Sequence, residues 1–198
     1  PPESVLNPIL ESAGGAGPAP EEVTSLISPR VDGRVSSYFE WLGAAVHEVH
    51  RRGQTMQRAD LPVSLFHYGI NLDRLFLRVD FRTGYREPKL VGDALVVHVV
   101  KPSSLRIVVP LGAGCCDGVH VIDEADGSRL ELPHGTAALE DILEIGIPWA
   151  SLKVAVGEQV RFHLTLEKDR SVLASWPMSG SFAVSVPGQD FERRMWSV

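Results

Sequence analysis

From about residue 28 onward the chain breaks into short apolar runs set off by Gly, Pro, Asn, Asp and Ser. Within the runs apolar and polar side chains tend to alternate, the period of a half-buried strand, and helical 3.6-residue spacing is scarce. The clearest unit is Phe66 to Phe81, two strand-like runs around a polar turn at Asn71 to Arg74. On its second run Leu75, Leu77, Val79 and Phe81 face one way and Phe76, Arg78 and Asp80 the other, which predicts one core face and one partly wet face. Upstream, Ala45 to Arg51 and Leu61 to Tyr68 read as strands, the second with Leu61, Val63, Leu65 and His67 alternating against Pro62, Ser64 and Phe66.

Downstream, Val96 to Lys101 and Leu105 to Leu111 form a pair across Pro102-Ser103-Ser104, and Gly118 to Asp123 pairs with Ser128 to Leu132 across Ala125-Asp126-Gly127. Ala137 to Asp141 is a short bridge into Ile142 to Pro148, where Ile142, Glu144 and Gly146 alternate with Leu143, Ile145 and Ile147. Trp149 to Leu152 reads as one helical turn. Val160 to Glu167 and Val172 to Trp176 close around Lys168 to Ser171, and Phe182 to Val186 is the last strand. About eleven strands at such spacing predict an all-β antiparallel sandwich of jelly-roll or immunoglobulin-like type, with one or two short helical turns.

Residues 1–27, rich in Pro, Gly and Ala, cannot bury a face of their own and read as a linker or docking segment, with Val5, Leu6, Ile9 and Leu10 as an apolar latch. The sandwich is expected over 28–198. Its entry, Ser28 to Trp41, holds an Asp32-Gly33 turn and then Ser37 three residues before Glu40, the form of a capping box that opens a short helix over Tyr38 to Gly43. Phe39 and Trp41 are expected to anchor that helix in the core, and Trp149 to be core as well.

The formal charge of -6 argues against a nucleic-acid partner, because phosphate binding needs a basic surface. No apolar run approaches the ~18 residues of a membrane span, so no membrane partner is expected, and a cytoplasmic location is the starting expectation. Cys115 and Cys116 are adjacent, where a bridge would close a strained ring, so they are expected as reduced thiols.

Candidate catalytic groups resolve into blander readings. The carboxylates Asp73, Asp80, Asp126 and Asp169 fall on turns and exposed strand faces, and spacing alone does not bring two together across a cleft. His47-Glu48-Val49-His50 places its histidines at i and i+3 on a strand, where a zincin needs i and i+4 on a helix. Cys115, Cys116 and His120 lack a completing set of zinc ligands. Gly112-Ala113-Gly114 has no helix behind it and reads as a turn. Met56 and Met178 with the histidines allow haem ligation by composition alone, with no spacing that selects it.

Several blocks in order, SPRVDGRVSSYFEWLGA, HYGINLDRLFLRVDF, LEIGIPWASL, VGEQVRFHLTL and WPMSGSFAVSVPGQDFERRMWSV, resemble the C-terminal domain of bacterial members of glycoside hydrolase family 57. That domain is similar to glucodextranase C-terminal domains, DOMON domains and carbohydrate-binding module family 9, whose "Asp-Gly" entry and "Ile-Pro-Trp" block match Asp32-Gly33 and Ile147-Pro148-Trp149. The resemblance implies a non-catalytic ancillary domain of an α-glucan-processing enzyme of α-amylase or glucanotransferase type, whose partner is a catalytic (β/α) barrel of the same polypeptide. The alternative is a module that grips α-glucan directly. Sugars stack on aromatic faces, and Tyr68, Tyr85 and Trp176 are the candidate platform, Trp196 being read as a latch. No catalytic residue and no cofactor is expected, with Ca²⁺ allowed by the likeness to related modules but its ligands unassigned.

Overall fold

A computed structural model describes residues 22–49, 62–82, 92–112, 118–191 and 193. Its strands are β1 (Ala45–Glu48), β2 (Val63–Ile70), β3 (Arg74–Phe81), β4 (Ala94–Lys101), β5 (Leu105–Pro110), β6 (His120–Asp123), β7 (Arg129–Glu131), β8 (Ala137–Leu139), β9 (Ile142–Pro148), β10 (Gln159–Lys168), β11 (Ser171–Trp176) and β12 (Phe182–Ser185). The short bridge expected before Ile142 is β8, a strand in its own right. Among the described residues two 3-10 turns, Tyr38–Trp41 and Trp149–Leu152, interrupt the β-structure.

The strands form two sheets. The smaller has order β1-β2-β3-β9-β8; the larger runs β11-β10-β4-β5-β6-β7, with β12 also on β10. Every strand pairing among the described residues is antiparallel. The ten-residue β10 is long enough to seat two partners on one edge, β12 on Gln159 to Phe162 and β11 on Leu164 to Lys168. Inner-face side chains of both sheets merge into one apolar core. At its centre the Tyr68 ring from β2 lies 5.2 Å from Phe182 and 5.8 Å from Phe162, which joins the two sheets through aromatic contacts.

The hairpin forms as expected. Asn71 Oδ1 accepts from the Asp73 and Arg74 amides, which closes the turn, and Leu75, Leu77 and Val79 enter the core while Phe81 is only partly buried. The phase of β2 differs from expectation. A register shift between Val63 and Leu65 reverses the alternation, so Phe66, Tyr68 and Ile70 point inward and Leu65 and His67 face out.

Packing begins ahead of Ser28. The Thr24 amide donates to the Gly43 carbonyl, the Ile27 amide to the Ile70 carbonyl, and Leu26 makes a parallel bridge with Ile70. The Ile27 side chain lies directly over Gly69 of β2, where an added Cβ would force it to shift.

Candidate functional site: the covered face of the smaller sheet

The outer face of the smaller sheet is lined by alternate residues of β2, β3 and β9. His67, Arg78 and Glu144 make a row across it, His67 opposite Arg78 and Arg78 opposite Glu144. The entry segment folds over this row. Ile27, Trp41 and Phe76 form a small second core, with Val31 and Ala44 packed on it. Phe76 of the supposedly wet face is thereby buried.

Glu144 organises the contact. It is 1% exposed, yet each oxygen is satisfied by a donor from the entry segment. Oε2 accepts from the Asp32 and Gly33 amides at 3.1 and 3.0 Å, and Oε1 accepts from Trp41 Nε1 at 3.0 Å. A buried carboxylate is tolerated when fixed donors meet it, and here two are backbone amides of an irregular loop that would otherwise lack partners. The Gly33 carbonyl in turn accepts from the Asp141 and Ile142 amides. Gly33 sits at φ 76°, and a Cβ there would meet the Glu140 amide nitrogen at 2.7 Å, so this position requires glycine.

Beside this clamp Arg78 forks onto Asp80, Nε to Oδ1 at 2.6 Å and Nη2 to Oδ2 at 2.9 Å. Its guanidinium carbon lies 6.0 Å from the Trp41 ring centroid, and His67 lies 6.1 Å from the same ring. His67 Nε2 is buried without a hydrogen bond, 3.9 Å from Asp80 Oδ2. Burial holds the His67 imidazole below its ordinary pKa; Asp80 opposes this and Arg78 adds to it. Both carboxylates of the row are therefore engaged by fixed donors, an arrangement suited to holding the chain in place. Among the described residues no group of three or more His, Cys, Asp and Glu is placed to hold a metal ion.

The residues singled out in the sequence fall elsewhere. Tyr68 and Trp176, expected as a sugar platform, are 2% and 4% exposed and belong to the core. Tyr68 lies inside the aromatic cluster, and Trp176 pairs with Leu164 of β10 on the inward phase, so neither turns a ring face to solvent. Tyr85, Trp196, Met56, His50, Cys115, Cys116 and the latch residues Val5, Leu6, Ile9 and Leu10 lie outside the described residues. Trp41 and Trp149 are core, Trp149 Nε1 donating to the Asn71 carbonyl. Phe39 is not: it is 76% exposed, because a single 3-10 turn directs only part of its circumference inward and Trp41 takes that direction. Ser37 does cap this turn, its hydroxyl accepting from the Phe39 amide. Of the surface carboxylates, Asp80 alone joins the row described above. Sequence reasoning missed Glu144, whose signal was a lone carboxylate in the otherwise uncharged run Ile142 to Pro148. Comparison of the chain with protein-family models, with curated proteins and with solved structures found no match in any of the three.

Proposed function

We propose that the chain is a non-catalytic ancillary domain of an α-glucan-processing glycoside hydrolase, which packs on a catalytic (β/α) barrel and stabilises or positions it. The reading rests on the block resemblance, and the observation that carries it further is a set of exposed apolar side chains on the clamped entry segment. Val35, Phe39 and Leu42 are all more than half exposed on a segment whose backbone is fixed from beneath by Glu144. Exposed apolar groups on a rigid support suit a permanent docking surface. The competing reading, direct grip on α-glucan, loses two of its three aromatic candidates to the core, and only Tyr85 remains.

Four experiments test the proposal. The gene upstream of the Pro1 codon is expected to encode a barrel, and an unrelated upstream sequence would overturn it. In the joined polypeptide Phe39→Asp should lower the thermal midpoint of the barrel while leaving that of the isolated sandwich unchanged. The chain alone should neither hydrolyse nor transglycosylate maltooligosaccharides, and product formation would sink the reading. Retarded migration through starch or glycogen gels would favour the binding module instead.

A further inference from the structure

A pair of stacked histidines lies on the outer face of the larger sheet. His98 of β4 and His163 of β10 are directly opposed in register, their rings 4.5 Å apart and within 2° of parallel. Both are half-buried. His98 Nε2 is 2.8 Å from Thr165 Oγ1, and that hydroxyl is 3.2 Å from Glu167 Oε1. A carboxylate only accepts, so the one threonine proton goes to Glu167 and Thr165 must accept from His98 Nε2–H. The chain of bonds thus fixes the His98 tautomer and leaves its lone pair on Nδ1. His163 makes no side-chain hydrogen bond within the described residues.

We propose that His98 and His163 form a two-histidine site for a divalent first-row transition ion such as Zn²⁺ or Cu²⁺. Imidazole nitrogen suits these ions. A ligating histidine almost always donates its other ring N–H to an orienting partner, and the His98-Thr165-Glu167 chain supplies one, with Nδ1 as the donor atom. Metal–nitrogen bonds of ~2.0–2.1 Å require the two nitrogens to approach within about 4 Å. The stack must therefore open by a turn of the His163 ring, which no hydrogen bond from the described residues resists. Burial holds both imidazoles below their ordinary pKa; at His98 the neighbouring His163 adds to this, while Glu167 and Glu124 oppose it. Arg106 of β5 lies opposite His98, but its Nε is 3.2 Å from Glu124 Oε1, which offsets its charge toward an incoming cation. The remaining coordination positions stay open to water or to a group from another molecule.

Calorimetric titration of the whole chain with Zn²⁺, and separately Cu²⁺, at neutral pH tests the site. Saturable binding is expected, weakened at least about ten-fold by His98→Phe or His163→Phe, each of which keeps an aromatic ring in the stack. Thr165→Val should weaken binding about ten- to a hundred-fold, the usual effect of losing an orienting partner, and Thr165→Ser should restore it. In the unaltered chain, ring resonances of His98 and His163 should broaden first on Cu²⁺ addition, a readout independent of how the variants fold. Absence of saturable binding, unchanged affinity in a folded His163→Phe chain, or broadening confined to other histidines would overturn the proposal, the latter two assigning any bound ion to other donors.

Discussion

Removing the Glu144 carboxylate is the sharpest perturbation of the entry clamp. Glu144→Ala leaves three donors without an acceptor: the Asp32 amide, the Gly33 amide and Trp41 Nε1. A buried donor stripped of its partner costs about 1–3 kcal/mol. The Asp32 amide is only partly buried and can recover water, so the expected loss is about 3–5 kcal/mol, within the ~5–15 kcal/mol of stability that a domain has in total. Glu144→Gln keeps one oxygen for the amide pair but turns an NH₂ toward Trp41, and should cost about 1–3 kcal/mol. Trp41→Phe removes the indole donor together with part of the ring, and a double-mutant cycle with Glu144→Gln, in which the packing loss cancels, should give a coupling of at least ~0.5 kcal/mol, the size expected for residues in direct contact. Urea unfolding measures each value, and amide exchange locates it, with Gly33 losing protection in Glu144→Ala while β4 and β10 keep theirs. A loss below about 1 kcal/mol for Glu144→Ala, or a cycle that closes to zero, would refute the claim that this carboxylate holds the segment.

Gly33→Ala must strain the backbone at φ 76° and press a methyl group into the Glu140 amide; a loss of about 1–3 kcal/mol in urea unfolding is expected, and a neutral result would contradict the fit. Trp176→Ala should cost about 3–5 kcal/mol as a buried-aromatic truncation, measured by thermal or urea unfolding, whereas an unchanged stability with lost glucan retention would return Trp176 to a binding role. His67, His98 and His163 all titrate below the ordinary value in the folded chain, chiefly through burial. On acidification the unfolded chain takes up protons first, so stability should be full above about pH 6.5 and fall as pH drops below it. A melting temperature that holds or rises from about pH 7 to about pH 5 would count against this.

The architecture was legible where one strand face meets a continuous core. Leu75, Leu77 and Val79 have that environment, and their alternation carried the correct phase. The β2 phase was hidden because a single register shift inverts every side chain beyond it, and nothing local in Val63 to Leu65 announces the shift. Trp176 reads as a surface aromatic from its place at a strand end before Pro177, but its direction is set by its pairing with Leu164 across the β10–β11 hairpin, beyond a register shift at Leu166/Glu167. Glu144 was illegible for a different reason: its donors lie 103 to 112 residues away. Periodicity reports which side of a strand a residue occupies. It does not report that a segment outside the sheet will cover that side.

That covering explains why a charged residue belongs in so apolar a strand. Once Ile27 and Trp41 bury Phe76, the irregular backbone around Asp32 and Gly33 is buried with them, and its amides need acceptors that no strand edge there provides. A carboxylate supplies two lone-pair-bearing oxygens at one point, enough for two amides and an indole together. An amide side chain has only one oxygen and an aliphatic one has none. The same requirement separates the two outer faces. On the smaller sheet the polar row is spent internally, on Glu144 with the loop and Asp80 with Arg78. On the larger sheet His98 and His163 keep lone pairs that the fold does not use, so new chemistry is better sought there than at the carboxylates that an α-glucan context would first bring to mind.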